Sequence, residues 1–413
     1  LKPLWLKFIY VTSVKAFIQV ECVIMAQVSP GERDAEQYRT FQGPFKKPIP
    51  CNPPLTTYDA DYVRRKQEVG EKFMTCKSSR KLCYFTDGAP DPSKEGVAVV
   101  LCLHSCGLHK YMWLQREPFK DIFQICVDRM GHGGSSDPPC HNGGASDYTF
   151  ADLVAELVEL MDEVYKEWNI PPEKKFFVIG HSQGACCTIE MAACPEVRDR
   201  IEAIAPVSGP CDIWNPSLTK QERKFFPSVI RNCESNACCS GGSLGRFMMR
   251  LGAKSMLRPV RADKAWDDGM AAHFKSYCRS QEGGDQRAWD VVYADPFMVT
   301  QIIDAHFPGP HNAKVWTTDM RRGNAAPWSY DPREITVPCF IYNGTKEETP
   351  FGCAEVNHKL IEDSQLIGWD AYGHCSIMIE HRRIIQALVK KQKVEGPPLW
   401  EKGQEAAKLA QTQ

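Results

Sequence analysis

An α/β fold, with a mostly parallel central sheet flanked by helices and an inserted helical cap, is predicted by three features of the sequence. Short apolar runs alternate with helical patterns through most of the chain. That rhythm breaks between about Gly209 and Arg333. One apolar run leads without a gap into Gly180-His181-Ser182-Gln183-Gly184. Strand alternating with helix favours parallel strands, because each strand must return to the same end of the sheet across a covering helix. At 413 residues the chain is longer than one such sheet with its helices needs, so an insertion is expected.

Taken in order, residues 1–24 read either as a leader or as sequence translated ahead of a start at Met25, since their apolar stretch is broken by Lys7 and Lys15. From Met25 to about Asp59 the chain is rich in Pro, Gly and charge and reads as an irregular arm. Phe73–Asp87 holds two short runs around a polar Lys77-Ser78-Ser79-Arg80 turn, a β-hairpin pattern. Gly96–His104, Ile122–Asp128, Lys174–Gly180, Ile201–Ser208, Val337–Asn343 and Ser364–Ala371 supply six further strands. Helical spacing marks Ala151–Trp168, Gly184–Cys194 and Ser376–Gln392. The resulting organisation is an arm over 1–59, a first core part over 60–208, a helical cap over 209–333, a second core part over 334–394 and a polar tail over 395–413. Helices are expected within the cap at Gly245–Val260 and Ala265–Cys278. Its Trp214, Trp266, Trp289, Trp316 and Trp328 read first as packing residues.

Fifty basic residues against 51 acidic ones leave a net charge of -1, so no electrostatic case exists for nucleic acid or an acidic membrane as partner. A small-molecule substrate is expected instead. No run outside the first residues is long and apolar enough to cross a bilayer. The 19 cysteines show no CxxC pairs, and several sit in apolar runs, as do Cys102, Cys126 and Cys339. That pattern suits free thiols in a reducing, cytoplasmic setting, with neither a metal nor a cofactor.

Gly180–Gly184 fits G-x-S-x-G, and its context carries the meaning: a buried strand enters and a helix of small residues leaves. Such a turn lifts the Ser182 Oγ to the open end of the sheet and leaves no room for a Cβ at either glycine. It also aims the Gln183 N–H at the place where an oxyanion would form. A serine hydroxyl needs an imidazole to take its proton. His374 lies after the last strand and before the last helix, the position this chain order requires, whereas His381 falls inside that helix. The acid belongs in the loop after Val337–Asn343, where Glu347 is the first choice; Glu348 and Asp212 are alternatives.

The chain thus resembles the α/β-hydrolase superfamily, in particular its capped esterases and peptidases, over about Phe73 to Val389. Asp128-Arg129-Met130-Gly131-His132-Gly133-Gly134-Ser135 looks like the D-x-x-G-x-G-x-S loop of that group and reads as a structural turn. Relatives usually have His-Gly where this chain has His104-Ser105-Cys106-Gly107, so the resemblance implies Cys106, or else Ser105, as second oxyanion donor. Most also carry Asp where Glu347 stands. The activity implied is hydrolysis of a carboxylic ester through an acyl-serine. Aminopeptidase, amidase or acyltransferase chemistry on the same triad is the alternative, and a non-catalytic ligand-binding protein is the reading from another class. Met248, Met249, Phe297 and Met298 would suit an apolar substrate but are more often core. Cys106 and Cys375 flank the site, so a bulky thiol reagent is expected to slow the enzyme.

Overall fold

The computed structural model describes residues 59–138, 148–219, 222, 295–305, 313–324, 326–345, 348–370, 372–374, 376–396 and 399. The arm before Asp59, the helices expected at Gly245–Val260 and Ala265–Cys278, and nearly all of the tail after Gly396 lie outside the described residues.

Every strand that the apolar runs predict is present. The sheet comprises β1 (Lys72–Thr75), β2 (Lys81–Gly88), β3 (Ala98–Leu103), β4 (Ile122–Val127), β5 (Phe176–His181), β6 (Ile201–Val207), β7 (Cys339–Gly344) and β8 (Ser364–Trp369), in the order β1-β2-β4-β3-β5-β6-β7-β8. The hairpin β1–β2 and the pair β2–β4 are antiparallel; the other pairs are parallel. Between β4 and β5 the chain reverses direction across the sheet, and β5 lands on the far side of β3. The carboxyl ends of β3 and β5 therefore flank a switch point, where open α/β sheets place their ligands.

Among the described residues, seven α-helices accompany the sheet: α1 (Ala60–Val69), α2 (Phe150–Glu167), α3 (Gln183–Ala193), α4 (Pro296–Ala305), α5 (Ala313–Asn324), α6 (Glu348–Leu360) and α7 (His381–Leu388). Residues alternate between the two faces along β3. Val100 and Cys102 join Tyr62 of α1 and Ile384, Ile385 and Leu388 of α7. Val99, Leu101 and Leu103 join Leu153, Leu157 and Leu160 of α2 and Ile189 of α3. Each such fully buried aliphatic side chain stabilises the fold by about 1.5–3 kcal/mol. Helix α2 starts on a reciprocal Thr149–Asp152 capping box and stops before Asn169, whose φ is 50°.

Two elements differ from the sequence reading. No helix is expected at Ala60–Val69, because only Tyr62 and Arg65 of α1 are buried and the apolar stripe is too thin to see. Its start is nonetheless encoded: the Asp59 side chain accepts from the Tyr62 N–H at 2.9 Å. The last helical pattern splits into a 3-10 turn over Ser376–Glu380 and then α7, so His381 heads the α-helix. No helix among the described residues is long and apolar enough to cross a membrane.

Candidate active site

Ser182 stands between β5 and α3 with φ 55° and ψ -118°. A non-glycine residue held there stores on the order of 1–3 kcal/mol of strain and persists only where its surroundings over-determine it. They do so here. A Cβ on Gly180 would overlap the Gly184 carbonyl and the Thr188 hydroxyl, and one on Gly184 would overlap the Leu103 carbonyl oxygen and lie 2.8 Å from that of His104. The Ser182 N–H donates to the Val207 carbonyl at 2.8 Å. Helix α3 is thereby pressed against the end of β3 and the His104 carbonyl.

That loop is pinned through His104, which is fully buried. Its Nδ1 faces the Ser105 carbonyl at 2.7 Å and its Nε2 accepts from the Arg129 backbone N–H at 2.8 Å. The accepting Nε2 carries no proton, so the ring is the Nδ1–H tautomer. Burial, with the Arg129 charge beside it, pushes its pKa well down and keeps it neutral. The Ser105 N–H donates to Met112 Sδ at 3.4 Å. The Cys106 thiol is pushed well above its ordinary pKa by burial and by the Asp319 carboxylate. Thiolate is therefore scarce at neutral pH.

His374, the base candidate of the sequence, lies in the loop after β8. Tyr372 Oη donates to Glu380 Oε1 at 2.5 Å and the Gly373 N–H donates to Ser376 Oγ at 2.9 Å, so the turn that bears His374 is tied to the 3-10 turn after it. The half-buried His374 ring meets the ring of His181, the residue before Ser182, edge-on at 5.2 Å. His381 also lies against His181, with Nε2 3.0 Å from His181 Nδ1, and it stacks on Trp113 at 4.2 Å. Burial holds the His381 pKa down at about 3, so the pair is neutral. The acid loop starts alongside: a Cβ on Gly344 would overlap the Tyr372 carbonyl, and the Thr345 N–H donates to the Trp369 carbonyl at 3.1 Å. Glu347 and Cys375 lie outside the described residues, and Glu348 begins α6. Asp212 is buried, with Oδ1 accepting from the Trp214 N–H at 3.0 Å.

The Asp128 loop serves as a structural turn. The Asp128 carboxylate accepts from the N–H groups of Lys110 and Gly134, both at 2.8 Å, and pairs with Lys110 Nζ at 2.7 Å. Phe297, Trp316 and Trp328 are buried; Phe297 packs on Tyr62 and Trp328 on Phe150, as packing residues do. Met248, Met249, Trp266 and Trp289 lie outside the described residues. Cys106, His132 and Asp319 bring a sulfur, a nitrogen and a carboxylate oxygen within 4.8 Å of one another. A cation there would compete with Arg129 and Arg322, which both already pair with Asp319. Sequence reasoning misses Arg129, Asp319 and Gly323 as neighbours of the site. The D-x-x-G-x-G-x-S pattern was the only signal that could have brought Arg129 forward.

Residues 100–387 match the family model described as alpha/beta hydrolase family. No curated protein matches the chain. Among solved structures, a hydrolase from Pseudomonas aeruginosa PA01 is 15% identical, with 78% of this chain and 97% of that one covered and a TM-score of 0.47. A thermophilic esterase from Thermogutta terrifontis is 16% identical over 78% and 97%, TM-score 0.46. A proline iminopeptidase from Mycobacterium smegmatis is 14% identical over 78% and 98%, TM-score 0.48. Likeness at that level says nothing of substrate.

Proposed function

We propose, because the chain belongs to the alpha/beta hydrolase family, that it is a serine hydrolase cleaving a carboxylic ester of a small or apolar substrate. The observation that carries this reading is the backbone of Ser182, held at φ 55° between two glycines that tolerate no Cβ. Strain of this kind needs a reason, and presenting a nucleophile is one. In the proposed cycle His374 accepts the Ser182 proton as Oγ attacks the acyl carbon. The Gln183 and Cys106 N–H groups stabilise the resulting oxyanion, and Glu347 orients the imidazole and offsets its charge. The C–O bond to the leaving alcohol breaks as His374 returns the proton. Water, deprotonated by His374, then attacks the acyl-serine and frees the acid.

The test is covalent. Purified protein is incubated with a fluorophosphonate and its intact mass measured beside that of Ser182→Ala. Wild type should gain one adduct and the variant none. A panel of esters and aminoacyl amides then ranks substrate classes by kcat/KM. A folded wild type that takes up no probe sinks the reading and favours a ligand-binding protein.

A further inference from the structure

Helix α5 belongs to the stretch between β6 and β7, remote in sequence from both proposed oxyanion donors, yet it abuts each of them. Asp319, 2% exposed, forms a two-pronged ion pair with the fully buried Arg129: Nη2 lies 2.8 Å from Oδ2, and Nη1 contacts Oδ1. Arg322, one turn on, places a second guanidinium 2.5 Å from the same Oδ1. Arg129 in turn grips the oxyanion loop twice, through Nε to the His104 carbonyl at 3.1 Å and through its own N–H to His104 Nε2. A chain of buried contacts thus runs from Asp319 through Arg129 to His104, two residues before Cys106. On the other side Gly323 meets the amide end of the Gln183 side chain, where a Cβ would overlap Oε1.

We infer that α5 is a positioning element of the oxyanion hole, with Asp319 setting the Cys106 side through Arg129. The inference rests on the reading of Ser182 as an acylated nucleophile. Paired guanidinium and carboxylate planes fix orientation as well as distance. Oxyanion donors act only within a narrow tolerance of the developing charge, so loosening their support lowers turnover without touching substrate binding. The Arg129 guanidinium loses its counter-charge if α5 leaves, and a buried unpaired charge is strongly unfavourable. The loop and the helix therefore hold their places together.

Two variants of the full chain test this with a 4-nitrophenyl ester and a fluorophosphonate. Asp319→Asn keeps the shape and removes the charge. Arg129→Lys keeps the charge but gives up the two-pronged contact with Asp319. The expected result is a kcat and a Ser182 labelling rate lowered about ten- to a hundredfold in Asp319→Asn and about tenfold in Arg129→Lys. KM and the pH profile should not move. Activity lost in both variants only in proportion to unfolded protein overturns the inference and leaves the serine-hydrolase reading standing. Should Asp319→Asn fail to fold, Arg129→Lys decides alone. A wild type that takes up no probe at Ser182 overturns both.

Discussion

The nucleophile elbow and the facing oxyanion loop are held in place by different physics. At the elbow, position comes from shape: Gly180 and Gly184 let backbone meet backbone, and Ser182 has nowhere else to go. At His104–Gly107, position comes from charge and hydrogen bonds passed on by Arg129 from a helix 190 residues away. Steric fit is local and insensitive to solvent conditions. A buried ion pair is strong only while every member stays in place.

The largest expected effect removes what the elbow presents. Ser182→Ala should lower kcat on the order of 10⁴- to 10⁶-fold with the melting temperature little changed, since alanine keeps the Cβ and with it the same backbone strain. A retained burst of product would mean that the elbow is not where acylation occurs. Next comes a charge on the side held by shape. Glu190, buried on α3, accepts from the Ser329 and Tyr330 N–H groups at 3.0 and 3.2 Å, and burial raises its pKa to about 9. A carboxyl whose folded pKa lies above its unfolded one binds protons more tightly when folded. Its stabilising effect is full below the unfolded value of 4.5 and is lost as pH climbs toward 9. Glu190→Gln should therefore flatten the alkaline fall in stability by at most about 1.4 kcal/mol per pH unit. Urea unfolding at pH 5, 7 and 8.5 measures this, and parallel curves for the two proteins would refute it.

A smaller effect compares shape with charge directly. Gly184→Ala should lose about 1–3 kcal/mol by overpacking against the end of β3. Its kcat should fall at every salt concentration alike, because no charge is involved. The smallest change touches the oxyanion loop. Met112→Leu removes the sulfur that accepts the Ser105 N–H and should change kcat by about two- to fivefold, the scale of one weak hydrogen bond. A loss of a hundredfold there would mean that Met112 positions far more than one N–H group.

This division also explains what a single sequence discloses. The eight strands were legible because each is a short apolar run bounded by turns, and the elbow because its close contacts demand glycine at two fixed spacings. His374 was a candidate from its order along the chain, and it lies edge-on to His181 beside the elbow. Asp319 and Arg129 were not, because an ion pair between distant positions leaves no periodic trace in either neighbourhood. Helix α1 was missed for a milder reason: it is docked by polar contacts, such as Tyr62 Oη to Asp304 Oδ2 at 2.5 Å and Lys66 Nζ to the same carboxylate, rather than by an apolar stripe. The hydrogen bond that engages the Ser105 N–H depends on where a methionine sulfur happens to lie, which no motif records.

The contact between His181 and His381 joins positions 200 residues apart, and His374 reaches the elbow from the same distant stretch. During synthesis the elbow can form its strand and helix long before its imidazole partner leaves the ribosome. On the proposed reading of Ser182 and His374, a growing chain therefore carries a serine that no base activates, and reactivity waits for the final strand and helix.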